Sequence, residues 1–135
     1  MALFIFNDAS VVIDSVDLSD HVKQVTLNYS AEMQDDTIMG DTTRSRLGGL
    51  FDWSMDIEFA QDHATSKVDA TLFDLVGTTF SVVLKPTSDG VSATNPTYTG
   101  TGILETYPPM GGAVGDLAVT AITIQAAGTL VRAEA

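Results

Sequence analysis

The sequence predicts a mainly β protein: an antiparallel β-sandwich or barrel with one flanking α-helix at about residues 66–76 and a long inter-strand loop at about residues 34–50. Three observations lead to this fold class. Two long stretches alternate apolar and polar residues, one short stretch has a helical period, and turn residues divide the remainder. The 135 residues are close to the commonest domain size, so we expect a single domain over residues 1–135.

A long strand from Val25 to Met33 dominates the first half of the chain. Before it, Ser10–Asp17 is typical of a strand and Leu18–Val22 of a turn. In the long strand, alternation with period two gives one apolar face and one polar face. The apolar positions are Val25, Leu27, Tyr29, Ala31 and Met33, and the polar positions are Gln24, Thr26, Asn28, Ser30 and Glu32.

The same alternation returns over Phe51–Phe59. Its apolar positions are Phe51, Trp53, Met55, Ile57 and Phe59, and its polar positions are Asp52, Ser54, Asp56 and Glu58. Each stretch covers about nine residues, or roughly 30 Å, whereas the usual strand has about five or six residues. We therefore expect two unusually long strands.

The connection Gln34–Leu50 has no clear periodicity, and a connection this long is either functional or disordered. It carries Asp35, Asp36 and Asp41, together with Arg44 and Arg46, which are two of only six basic residues. The arginines are interpreted either as solvated residues of a mobile loop or as part of a docking arm that binds carboxylates of a neighbouring subunit.

The period becomes helical after the second long strand. Ser66-Lys67-Val68-Asp69 resembles a capping box, and Val68, Leu72, Leu75 and Val76 share one helical face. Gly77 suits the left-handed residue that ends a helix. Further strands are predicted at Thr78–Lys85, Thr99–Tyr107 and Leu117–Ala126, whereas Thr129–Ala135 is compatible with an inter-subunit arm or a frayed end.

The composition excludes several classes of function. With 18 acidic and 6 basic residues, the chain has a formal net charge of −12, which argues against binding nucleic acid or anionic lipid by charge. There is no cysteine, and therefore no disulfide, thiolate metal site or thiol nucleophile. The uncharged run Leu117–Val131 is too short for a membrane-spanning helix.

No enzyme, cofactor or metal site is predicted. His21 and His63 each follow an aspartate, but neighbouring residues on a strand point to opposite faces, so we interpret both as surface turn histidines. The aspartates of the connection could bind calcium, but an EF-hand spacing is absent and acidic loops are common in so acidic a chain.

The polar face of the two long strands contains no lysine or arginine. The simplest interpretation is a solvated face of an acidic protein. The alternative is a surface past which a polyanion slides without binding, because each phosphate contact with a cation would add affinity.

The run D-D-T-I-M-G-D-T-T-R-S-R-L-G-G-L at Asp35–Leu50, followed by W-S-M-D-I-E-F at Trp53–Phe59, resembles the major tail (tail tube) proteins of long, non-contractile-tailed bacteriophages. With the preceding strands and the helix ending at Gly77, the resemblance covers most of the chain. It implies a β-sandwich assembled as stacked hexameric rings into a hollow tube of the virion, built in the host cytoplasm.

The resemblance also implies roles for the residues named above. The lumen of the tube would be lined by Gln24, Thr26, Asn28, Ser30, Glu32, Asp52, Ser54, Asp56 and Glu58, and the connection with Asp35, Asp36, Asp41, Arg44 and Arg46 would stack one ring on the next. The implied partners are further copies of the chain, a tape-measure protein, and terminator and tail-tip proteins. DNA would pass through without specific binding, and no membrane is involved.

Two other structural roles remain open. One is a ring-forming virion component, such as a tail terminator or neck protein, that does not polymerise. The other is a monomeric β-sandwich module that binds glycans, although Trp53 belongs to the apolar face and is interpreted as core.

Overall fold

The computed structural model describes Leu3, Ile5 and residues 7–134. Eight strands form one antiparallel sheet, in the order β2-β1-β5-β6-β7-β4-β3 with β8 paired to β6. The predicted mainly β fold with one short helix is confirmed. The elements are β1 (Ser10–Ile13), β2 (Val16–Asp17), a 3-10 helix (Ser19–His21), β3 (Val22–Asp35), β4 (Arg46–Ala60), α1 (Val68–Leu72), a second 3-10 helix (Phe73–Leu75), β5 (Thr79–Lys85), β6 (Thr97–Leu104), β7 (Val119–Ala126) and β8 (Val131–Ala133).

The sheet folds over on itself around one hydrophobic core. Alternate residues of each strand point inward, as the period-two pattern requires. Ile13 of β1, Val82 of β5 and Ile124 of β7 are all fully buried in the same cluster as Ile57 of β4. The short helix α1 closes the core by burying Val68 and Leu72, among other residues. No helix in the described part of the chain has the length and apolar character needed to cross a membrane.

Trp53 closes the end of the core that lies opposite α1, at the point where β4 extends past the end of its pairing with β7. Its side chain is 3% exposed, and its Nε1 donates a hydrogen bond to the carbonyl oxygen of Gly128 at 2.8 Å. The ring lies against Gly100 and Gly102 of β6, where an added Cβ would contact it. Two glycines on one face of β6 therefore make the space that the indole fills.

The two long strands are longer than the sequence indicates, and the loop between them is shorter. β3 has 14 residues and β4 has 15, so the predicted loop at residues 34–50 is wrong at both ends and only residues 36–45 connect the strands. The β4 extension is hidden in the sequence because Gly48 and Gly49 interrupt the alternation. A register shift between Ala31 and Met33 also breaks the period at this point.

The predicted helix at residues 66–76 is also too long. α1 covers only Val68–Leu72, and the chain continues as a 3-10 helix. The capping box was a wrong prediction, because Ser66 has a left-handed φ of 61° and Lys67 occupies the N-cap position without a side-chain cap. Gly77 does adopt the predicted left-handed conformation, with φ of 79°.

Three further segments differ from the sequence prediction, the first being the strand predicted at Thr99–Tyr107, which is β6 at Thr97–Leu104. Ser10–Asp17 is a hairpin rather than one strand, because Asp14 and Ser15 both have positive φ, as a two-residue turn requires. At the other end of the chain, β8 pairs with β6 of the same molecule, whereas Ala135 lies outside the described residues.

We expect Gly100→Ala to destabilise the protein by about 1–3 kcal/mol, the usual range for overpacking. The added Cβ would lie 2.7 Å from Cζ2 of Trp53, so the indole would have to move. Gly90→Ala is the matched control, because nothing lies within 4 Å of its added Cβ. Urea unfolding followed by tryptophan fluorescence measures both variants, and equal midpoints would contradict the prediction.

Candidate functional site

The β3–β4 hairpin extends beyond the body of the protein as a two-stranded arm. β3 pairs with β4 from Val22 opposite Phe59 to Asp35 opposite Arg46, whereas β7 pairs with β4 only over Ser54–Ala60. We call residues 29–52 the arm. Among the described residues, its strands have no third strand beside them, and the loop at residues 36–45 forms its tip.

The nine polar residues singled out in the sequence lie on one face of β3 and β4. Directly opposite residues of an antiparallel pair share a face. The cross-strand pairs are Gln24 with Glu58, Thr26 with Asp56, Asn28 with Ser54 and Ser30 with Asp52, and Glu32 follows on the same side of β3. This polar face points away from the core, because the alternate residues of β4 are those buried.

The polar face continues onto β7, which the sequence analysis did not assign to it. Ala121, Thr123 and Gln125 alternate with the buried Ile122 and Ile124. Thr123 lies opposite Asp56, and its Oγ1 donates a hydrogen bond to Asp56 Oδ1 at 2.7 Å. The period-two pattern of Thr120–Gln125 is the sequence signal that could have identified these residues. Three strands thus present a surface of amides, hydroxyls and carboxylates.

The opposite side of the arm is apolar and uncovered. Tyr29 and Phe51 continue the core-facing side of β3 and β4, but they are 56% and 71% exposed. Their rings stack with centroids 5.7 Å apart. Met33, farther along the same strand, is also exposed. A contiguous exposed apolar strip of this kind is typical of an interaction surface.

The loop at the tip is ordered by its own side chains. Asp35 Oδ1 accepts a hydrogen bond from the backbone N–H of Thr37 at 2.9 Å, and Arg44 Nη1 donates to Asp35 Oδ2 at 2.9 Å. Asp41 Oδ2 accepts the backbone N–H of Ile38 at 2.9 Å. Hydrogen bonds from Thr37, followed by the contact with Arg44, hold the pKa of Asp35 below its usual value.

The five predicted loop residues therefore have different locations. Asp35 and Arg46 are paired strand residues, whereas Asp36, Asp41 and Arg44 belong to the tip. Two of the three aspartates bind backbone N–H groups of the tip itself. Within the described residues, no group of three His, Asp or Glu side chains is placed to hold a metal ion.

The base of the hairpin is held by His21, which is not the surface residue that the sequence suggested. Its side chain is only 15% exposed, with Nε2 at 2.8 Å from Asp62 Oδ2 and Nδ1 at 2.7 Å from Asp20 Oδ1. The prediction that the neighbouring aspartate points away was wrong, because the two residues lie in a 3-10 helix rather than a strand. The hydrogen bond with Asp62 is the main cause of a raised His21 pKa.

A second network connects the end of β4 with α1. The Tyr107 hydroxyl donates to Asp69 Oδ1 at 2.8 Å and accepts a hydrogen bond from Gln61 Nε2 at 2.9 Å. Burial is the main reason why the pKa of Tyr107 is raised to about 12. His63, whose Nδ1 lies 3.4 Å from Asp69 Oδ2, is the exposed histidine of the pair. These contacts fix the base of the hairpin to the helix.

Comparison with solved structures identifies the fold. A chain of the virion of a native gene transfer agent particle matches with a TM-score of 0.75 and 16% identity, over 96% of this chain and 98% of that chain. A chain of the tail of an empty gene transfer agent particle, determined with helical refinement and C6 symmetry, matches with a TM-score of 0.66 and 18% identity, over 82% and 81%.

The SPP1 tail tube, determined by solid-state NMR and cryo-electron microscopy, matches with a TM-score of 0.75 and 10% identity, over 98% of this chain and 80% of that chain. No protein-family model and no curated protein matches the sequence. The chain therefore has the fold of tail tube proteins, as the sequence resemblance implied.

We expect His21→Gln to lower the free energy of unfolding more at pH 5 than at pH 8. Because the folded-state pKa of His21 is raised, the stabilisation is complete below the unfolded pKa of about 6.5 and is lost as the pH rises through the folded value. Asp62 stays charged at pH 5, since the N–H of Ala64 and then His21 lower its pKa.

Urea unfolding of the variant and the parent protein at both pH values measures this difference. His63→Gln is the control, because this histidine is exposed and does not join β3 to β4. An equal loss of stability at pH 5 and pH 8 for His21→Gln would contradict an ionised His21–Asp62 pair.

Proposed function

We propose that this chain is the structural subunit of a tail tube, in which rings of six copies stack into a hollow polymer of a phage or phage-like virion. The single observation that carries the proposal is the likeness of fold over nearly the whole chain to subunits of tail and virion particles. The C6 symmetry of one of these tails supports the choice of six copies.

The arm gives an independent reason for polymerisation. A two-stranded ribbon with an apolar strip exposed to water is marginally stable by itself. Both β3 and the outer half of β4 also present a free edge, which is a template for pairing with another chain. Closing the sheet across neighbouring subunits would remove these edges and cover the strip, as in a barrel.

The polar face would then line the lumen. Each copy contributes the carboxylates of Glu32, Asp52, Asp56 and Glu58 to this face. The whole chain has a formal net charge of −12, so six copies give a ring with a formal charge of about −72 before counterions screen it. A wall without basic residues offers DNA no cationic side chain for its phosphates, so that DNA passes without being held by charge. The role is structural and needs no catalytic group.

The remaining partners follow from the proposed role rather than from a contact in the molecule. A tape-measure protein would occupy the lumen during assembly, and terminator and tail-tip proteins would cover the two ends. The subunits would be assembled in the host cytoplasm and remain in the tail of the virion.

Negative-stain electron microscopy of the concentrated protein, with sedimentation, tests the proposal. A tube subunit polymerises into tubes or stacked rings with a central hole, a terminator or neck protein stops at a single ring, and a glycan-binding module stays near 14 kDa. A protein that remains monomeric even with a tail-tip initiator would overturn the tube.

We expect the triple charge reversal Glu32→Lys, Asp56→Lys and Glu58→Lys to leave tubes intact in electron micrographs but to slow or stop DNA delivery, because lysines in the lumen would bind phosphates. Infectivity and the rate of DNA ejection are the measurements. Asp74→Lys, Asp89→Lys and Asp116→Lys together form the control, with the same change of charge at exposed sites away from the polar face. Normal infectivity of the lumen variant would contradict the assignment of this face.

A further inference from the structure

An apolar groove opens between the start of β3 and the folded-over half of the sheet. Val25 and Leu27 form one wall, and Leu84, Pro86 and Tyr98 form the other. The space has a volume of about 90 Å³, which corresponds to roughly three water molecules or one aliphatic side chain. The groove thus has room for a single apolar side chain.

The tip of the arm presents apolar side chains of the right size. Ile38 is 71% exposed and Met39 is fully exposed, although the loop that carries them is held by hydrogen bonds that backbone N–H groups donate to Asp35 and Asp41. An ordered loop loses less conformational entropy on binding than a mobile one. The pair Ile38–Met39 therefore has the form of a preorganised docking element.

The charges around the two surfaces are complementary. Lys85 lines the groove, and its Nζ donates to the carbonyl oxygen of Asp89 at 3.0 Å. No ion pair of Lys85 or of Asp36, which flanks Ile38–Met39 in the tip, is found among the described residues. A carboxylate of the tip would thus meet an available ammonium group at the rim of the groove.

The tip and the groove of one molecule are too far apart to meet. Asp35 lies eight positions after Leu27 on β3, which is roughly 26 Å at a strand's rise, and the loop extends farther. The contact must therefore join two molecules. A head-to-tail contact of this type generates an open polymer when successive copies do not close a ring.

We propose that the tip of the arm docks on a second copy of the chain, with the Met39 side chain in the groove formed by Val25, Leu27, Leu84, Pro86 and Tyr98 and with Asp36 beside Lys85. This inference rests on the proposed tube and assigns the surface that receives the arm of the adjoining ring. The axial repeat of the polymer is then set by the distance from tip to groove, roughly 30–40 Å.

Cross-linking tests the contact directly, because the chain has no cysteine of its own. One preparation carries Met39→Cys and a size tag, and the other carries Pro86→Cys. Tubes assembled from the mixture and treated with a short bismaleimide should give a mixed dimer. Met110→Cys, also strongly exposed but in another loop, replaces Met39→Cys as the control and should give none.

Charge exchange provides a second, independent test. Asp36→Lys and Lys85→Glu should each raise the protein concentration required for tubes about two- to five-fold, and the double variant should restore it. Asp116→Lys is the control for the change of charge. Met39→Asp, which would place a carboxylate in the apolar groove, should raise this concentration at least tenfold, whereas Met110→Asp should not.

The proposed tube and the proposed contact between the tip and the groove can fail separately. Tubes that form normally from Met39→Asp and yield no mixed dimer would overturn the groove as the receptor of the tip and leave the tube intact. A mixed dimer that forms with Met110→Cys and not with Met39→Cys would also overturn the groove as the receptor of the tip. Absence of tubes from the unsubstituted protein would overturn the proposed function and the inference with it.

Discussion

The end of β7 determines the shape of the molecule. β4 is held by β3 on one side along its length, but β7 pairs with it only as far as Ser54, and after Ala126 the backbone N–H of Ala127 bonds to Thr101 instead. Trp53 closes the core at the same level, where its ring lies over Gly100 and Gly102 of β6. In the part of the chain that the structure describes, the region beyond this boundary has two strands and no second layer, so the arm exists because β7 and the core stop together.

The same sequence pattern has different consequences on the two sides of this boundary. Below it, alternate apolar residues of β4 such as Met55 and Ile57 are buried by the rest of the chain. Beyond it, Tyr29 and Phe51 occupy equivalent positions but remain exposed. The core-facing positions of the arm thus carry apolar side chains, as in the body, but the described residues of this chain do not cover them. The arm thus presents an exposed apolar surface on a molecule whose body is already folded.

Sequence reasoning reached the fold class, the two long strands and the shared polar face, because strict alternation over Val25–Ala31 and Phe51–Phe59 has only one physical interpretation. The prediction was wrong where the alternation is interrupted. Gly48 and Gly49, at a register shift, hid the extension of β4 into the arm. The capping box was also wrong, because Ser66 has a positive φ. His21 was misjudged because its partner Asp62 lies 41 residues away, and no local pattern reports a contact of that separation.

The pairing of the arm with the body also has a mechanical consequence. A force that pulls the tip away from the body acts along β4, and β4 is joined to β7 by register pairs from Ser54 to Ala60 whose hydrogen bonds lie perpendicular to the strands. Such a force loads these bonds in shear, all at once, rather than opening them one after another. A polymer linked through its arms would thus resist stretching with the combined strength of all the β4–β7 hydrogen bonds.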